Sequence, residues 1–147
     1  MKGYPSWFRP ALITVCLVTY LSGCLLAPTT LALRADWQLG WRLGAGPRLA
    51  MAAGHAGAAF VLMLFIGSLW AVHMRSGWRR RQQRISGLVT AVSACLLMLT
   101  AIGIYYLADE AWANAAGIGH LLLGLLLILP LGWHAVRGWR HRRHLRR

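Results

Sequence analysis

Hydrophobic positions fall along the chain in four long blocks, at about 10–33, 49–73, 85–107 and 113–136. Each block reaches or exceeds the roughly 20 residues of helix needed to cross a hydrocarbon core. The pattern predicts an all-α membrane protein, a single four-helix transmembrane domain over 1–147. Of the 147 residues, 58% are hydrophobic, and the mean hydropathy is +0.52. A soluble domain does not have this composition.

Charge then sets the topology. Sixteen Lys and Arg stand against three Asp and Glu, and the basic residues flank the apolar blocks instead of interleaving with aromatics. They therefore read as loop charges and not as a nucleic-acid surface. The loop from Arg75 to Arg84 and the tail from Arg137 to Arg147 hold most of them, which puts both on the cytoplasmic side. Asp109 and Glu110 lie in the loop after the third block, with no basic neighbour there, and the 34–48 loop has three Arg and one Asp. Both suit the far side. The expectation is a multi-pass protein of the bacterial inner membrane with both termini in the cytoplasm.

Cys16, Cys24 and Cys95 all lie inside apolar blocks, with no zinc or disulfide spacing. Leu21-Ser22-Gly23-Cys24 has the form of a lipoprotein cleavage signal. Against that reading, the apolar run continues past Cys24 to Leu33.

The second and fourth blocks resemble each other. Both begin Gly-His (Gly54-His55, Gly119-His120) and end His-x-x-x-Gly-Trp-Arg (His73 to Arg79, His134 to Arg140). Gly23 and Gly103 stand near the outer ends of the blocks that precede them. Two repeated helical hairpins, 1–84 and 85–147, are expected, related by a pseudo-two-fold axis along the membrane normal. Such parallel repeats put equivalent residues at equal depth.

His55 and His73 are eighteen residues apart, five whole α-helical turns, and His120 and His134 are fourteen apart, about 40° short of four turns. On this count each pair shares a helix face. Since both helices run inward, His55 and His120 belong near the outer leaflet and His73 and His134 near the inner one. Imidazoles in hydrocarbon need their nitrogens satisfied, so they normally face the bundle interior and mark a function. One such residue is readily explained as interhelical glue; four at paired depths are not. Zinc would want four ligands per site. A proton relay would want carboxylates within the spans. Two axial imidazoles suit haem iron, so the expected cofactors are two haems b, an outer one between His55 and His120 and an inner one between His73 and His134.

Other residues add less. Gly57, Gly67, Gly117, Gly124 and Gly132 thin the ligand-bearing helices, which suits a flat macrocycle or plain helix packing. Arg48 outside the outer pair, and Arg75, Arg79, Arg137 and Arg140 inside the inner pair, are within reach of haem propionates, which Arg binds bidentately. Arg48, Arg79 and Arg140 are the chosen cofactor-binding candidates. Trp70, Trp78, Trp133 and Trp139 read as an interfacial belt. His141 and His144 read as solvated residues of a tail that favours anionic lipid.

These paired His-bearing second and fourth helices, with the Gly103-to-Tyr106 run Gly-x-Tyr-Tyr, resemble the small bacterial four-helix dihaem cytochromes b. That group includes cytochrome b subunits of hydrogenases, gamma subunits of formate dehydrogenases and ferric-reductase-like membrane domains. The resemblance covers nearly the whole chain. It implies an electron-carrying bundle between a redox partner and quinone or another acceptor, with His55, His73, His120 and His134 as axial ligands. One departure stands out. At about 1.5 Å per residue the two His separations are roughly 27 and 21 Å, where near-equal spacing is expected of the group.

With both axial positions filled by protein, the iron has no open site and only changes oxidation state. No catalytic constellation accompanies it, so the expected role is a membrane-embedded subunit working with a periplasmic or cytoplasmic redox protein subunit. A non-redox assembly or transport subunit with structural or metal-binding histidines is the rival reading. A quinone-linked reductase with its own activity is another.

Overall fold

The computed structural model describes residues 3–37 and 39–144. All of its regular secondary structure is helical among those residues, and the chain divides into two compact units, Met1–His73 and Met74–Arg147. Four stretches are long and apolar enough to cross a membrane: Phe8–Arg34, Ala45–Arg79, Arg84–Tyr106 and Glu110–Arg140. These are the four predicted spans. The second and fourth run further than hydropathy alone indicated, because each continues helical into its Arg-rich end.

The first unit is a helical pair. Helix α1 (Phe8–Arg34) packs on α2 (Ala45–Leu69). Aromatics lock one end of the pair: the Tyr4 ring stacks on Phe8 at 4.2 Å, Phe8 meets Phe65 edge-on at 5.1 Å, and the Tyr4 hydroxyl donates to the Ser68 carbonyl at 2.9 Å. At the other end the Ala35 and Trp37 amides both donate to the Leu31 carbonyl, and Asp36 turns the chain out with φ +55°. Helix α2 starts after Gly44 with Pro47 in its first turn, where a missing N–H costs no helical bond. A π-turn, Trp70–Met74, follows without leaving the helix path, and His73 lies in it.

The second unit opens with the short helix α3 (Arg75–Arg79). Arg81 and Gln83, both in the left-handed region, reverse the chain. The Arg84 guanidinium staples that turn: it donates twice to the Trp78 carbonyl, at 3.0 and 2.7 Å, and lies 4.9 Å from the Trp78 ring centroid. Helix α4 (Arg84–Tyr106) then packs on α5 (Glu110–Leu126) and α6 (Ile128–His144). Asp109 caps α5 by accepting from the Trp112 amide at 3.0 Å, and Glu110 in the first turn complements the positive helix end. Between α5 and α6 the helix breaks at Leu127, three residues before Pro130.

Very little of this surface is covered by protein. Among the described residues few apolar side chains are buried, Phe8, Pro28, Ala32 and Ala113. Leucines, isoleucines and aromatics lie exposed along all four spans, far beyond the few hundred Å² of contiguous apolar patch that a water-soluble monomer tolerates. The spans are helical, the form in which a single segment satisfies its own backbone in hydrocarbon. The chain is a membrane protein.

Candidate functional site: imidazoles held by neighbouring hydroxyls

All four span histidines lie on the second transmembrane segment of a unit or at its end. His55 and His120 sit at the same place in their helices, ten residues after Ala45 and ten after Glu110, the first residues of α2 and α5. Both are half-buried, as is His134 on α6, while His73 is exposed.

Three of the rings are gripped at the same atom. His55 Nδ1 lies 2.9 Å from the Ser22 hydroxyl of α1. His120 Nδ1 lies 3.1 Å from the Thr100 hydroxyl and 3.1 Å from the Leu97 carbonyl, both on α4. His134 Nδ1 lies 3.0 Å from the Ser86 hydroxyl, also on α4. In each case the hydroxyl comes from the adjacent span of the same unit. Ser22 and Ser86 are among the most buried residues of the chain, at 7% and 2% exposure. A ring held at Nδ1 ligates metal through Nε2.

The two helices that carry paired histidines are both irregular, in different ways. In the fourth span the Leu127 amide donates to Leu123 and the Leu131 amide to Leu127, so the α register survives the Pro130 break. The fourteen-residue count from His120 to His134 therefore holds. In the second span the π-turn bonds i to i+5, which places more residues in a turn. His73 is the fourth residue of that turn. A π-turn rotates the chain less per residue than an α-helix does, so a pure α count does not carry through to His73. The eighteen residues from His55 to His73 thus include a π-turn and are not five plain α-turns.

The arginine candidates are spread out. Arg48 lies in the first turn of α2, seven residues before His55, and Arg79 ends α3 and is exposed. Arg140 lines an open groove on α6 with Gly132, Trp133, Val136 and Arg137, and the Arg137 guanidinium sits 5.6 Å from the Trp133 ring centroid. Arg140 is thus grouped with Arg137 beside the turn that carries His134. Side chains of His141 and His144 lie outside the described residues.

The glycines divide by role. A Cβ on Gly57, Gly67 or Gly132 would meet nothing within 4 Å among the described residues, leaving helix faces that a flat group can approach. Gly103, of the Gly-x-Tyr-Tyr run, has a packing reason instead: a Cβ there would come within 3.0 Å of the Ala116 Cβ and 3.2 Å of Leu107. Gly23 and Gly87 each lie under an imidazole, His55 and His134 respectively. Cys16, Cys24 and Cys95 are unbridged.

Ser22, Ser86 and Thr100 are the residues that a search for ligands passes over. A signal for two of them exists within the apolar blocks, where Ser-Gly occurs at 22–23 and 86–87, each time one span before a histidine it contacts, while a third Ser-Gly, at 76–77, lies in the Arg-rich loop. Among the described residues no three His, Cys, Asp or Glu side chains come together as a metal cluster; a bis-imidazole site asks for only two donors. No protein family, no characterised protein and no solved structure matches the chain.

Proposed function

We propose that the chain is a dihaem b-type cytochrome subunit, carrying electrons across or into the bacterial inner membrane between a redox partner protein and quinone or another acceptor. The observation that carries this reading is the common holding of three span imidazoles by Nδ1, in segments whose one carboxylate, Glu110, stands at a helix end. That donor set fits haem iron: neutral imidazoles, presented through Nε2, with the other nitrogen bonded to protein oxygen. Bound haem would supply one-electron chemistry. The chain's own contribution is to orient the rings, exclude water with apolar spans, and place Arg48, Arg79 and Arg140 for propionates.

In this reading His55 and His120 hold the outer haem, supported by their matching offset of ten residues from the helix start. His73 and His134 hold the inner haem, and the π-turn serves to re-aim His73 in a span whose count is four residues longer. The architecture is two repeated hairpins, 1–84 and 85–147, with both termini cytoplasmic, as the arginine distribution favours.

The test is a dithionite-reduced minus air-oxidised spectrum of membranes from cells expressing the chain with haem supplied. A low-spin b-type α band that depends on the chain is the expected result. A purified, folded and colourless chain refutes the proposal and leaves the non-redox assembly or transport reading.

A further inference from the structure

We infer that Ser22–Gly23, Ser86–Gly87 and Thr100 are seating elements that fix the protonation pattern and tilt of the imidazoles. This inference concerns the same rings as the haem proposal and rests on it for its purpose, though not for its geometry.

A hydroxyl in a membrane helix usually returns its single hydrogen to a carbonyl three or four residues back. The Ser22 hydroxyl does so, 2.7 Å from the Val18 carbonyl and 3.1 Å from that of Thr19. With that hydrogen directed to the carbonyl at 2.7 Å, the oxygen 2.9 Å from His55 Nδ1 serves as an acceptor, and we assign the ring nitrogen as the donor. The deduction is tighter at His120. Thr100 donates to the Leu96 carbonyl at 2.9 Å or Leu97 at 3.0 Å, and Nδ1 also lies 3.1 Å from the Leu97 carbonyl itself, which has no hydrogen to give. Ser86 repeats the arrangement more loosely, 3.3 Å from the Gln83 carbonyl and 3.0 Å from His134 Nδ1. We assign the hydrogen to Nδ1 in all three neutral rings, at His134 by the likeness of its Ser-Gly element to that at His55, and Nε2 is then the basic nitrogen. This is the tautomer an axial ligand requires, and the Nδ1–H bond to oxygen raises the basicity of the ligating atom.

The glycine after each serine completes the seat. A Cβ at Gly23 would stand 3.1 Å from His55 Cε1, closer than side chains normally pack, while one at Gly87 would stand 3.5 Å from His134 Cε1, an ordinary contact. The same two-residue element thus gives one atom to hold the ring in both units, and at Gly23 an empty place that the ring needs. None of these residues touches iron in this scheme. They are positioning residues.

The experiment uses the full chain in lipid bilayers with ¹⁵N-labelled histidine, as wild type and as Ser22→Ala, Ser22→Thr and Thr100→Val. Solid-state NMR reads the tautomers, with or without haem. Three rings in the Nδ1–H form are expected. Ser22→Ala should move one ring toward a mixture of tautomers, and Ser22→Thr should restore it. Thr100→Val, a near-isostere, should change His120 less, because the Leu97 carbonyl still accepts. In haem-loaded protein Ser22→Ala should raise the midpoint potential of one haem only, with the bis-imidazole spectrum kept. Wild-type rings protonated on Nε2, or a Ser22→Ala protein identical to wild type by both readouts, overturn the inference. A chain that binds no haem but shows the Nδ1–H tautomers and their response to Ser22→Ala overturns the haem proposal and upholds the seating.

Discussion

The second and fourth spans each carry two histidines along one helical path, and the two paths differ. The fourth span is broken at Leu127 by Pro130 yet keeps α register on both sides, so His134 stays where the count from His120 places it. The second span has no proline near His73 and no break, yet changes register through the π-turn Trp70–Met74. A proline marks a kink without moving the face, whereas a π-turn moves the face without marking itself in the sequence. Where the chain has fourteen residues between histidines it remains α; where it has eighteen, the helix itself is altered.

The largest expected effect follows from removing a ligand. Replacing His55 or His120 with Ala should each abolish the outer haem and spare the inner one, so that haem content per chain falls by half. Pyridine haemochrome quantitation against protein reads this. Retention of both haems in either variant breaks the outer pairing.

Next in size is the register test. Deleting Ala71 removes a residue from the π-turn and should return the second span to plain α geometry, with loss of the inner haem while the outer is kept. Pro130→Ala in the fourth span should leave both haems and their spectra in place, because the α register there does not depend on the proline. If the Ala71 deletion retains full haem and the proline change loses it, the comparison between the spans is inverted.

The glycine seats sharpen the picture further. Gly23→Ala should alter the low-spin EPR signal of one haem, since a Cβ at 3.1 Å tilts the His55 ring or moves its helix. Gly87→Ala, at 3.5 Å, should change the signal little. The smallest effect belongs to the cap of α5. Asp109→Ala should cost about 1 kcal/mol of local helix stability, read as faster hydrogen exchange at the Trp112 and Ala113 amides, with haem content unchanged.

These comparisons also show which parts of the molecule could be read from residues alone. Four spans were legible because an apolar run of sufficient length needs no tertiary information to declare itself, and hydrocarbon admits little but helix. The histidines were legible for the same reason, as rare polar groups in such runs. The hydroxyls were not. Thr19, Thr30, Ser68 and Ser93 bond the carbonyl four residues back just as Ser22 does, and only the packing of α1 on α2, or of α4 on α5 and α6, decides which hydroxyl also meets a ring. The π-turn was hidden because Trp70 to Met74 reads as an ordinary apolar helix. The Leu21-to-Cys24 stretch misleads in the other direction: its small residues look like a processing signal, and in the folded chain Ser22 and Gly23 lie against His55.

The central claim is that haem iron is held between imidazoles of the second and fourth spans. Near-infrared magnetic circular dichroism of the oxidised, purified chain tests it most directly, because the low-energy charge-transfer band reports the axial ligand pair. The account predicts a low-spin bis-imidazole band that is unchanged by cyanide or azide. A high-spin signal, a band for any other ligand pair, or no haem signal from folded protein would contradict it.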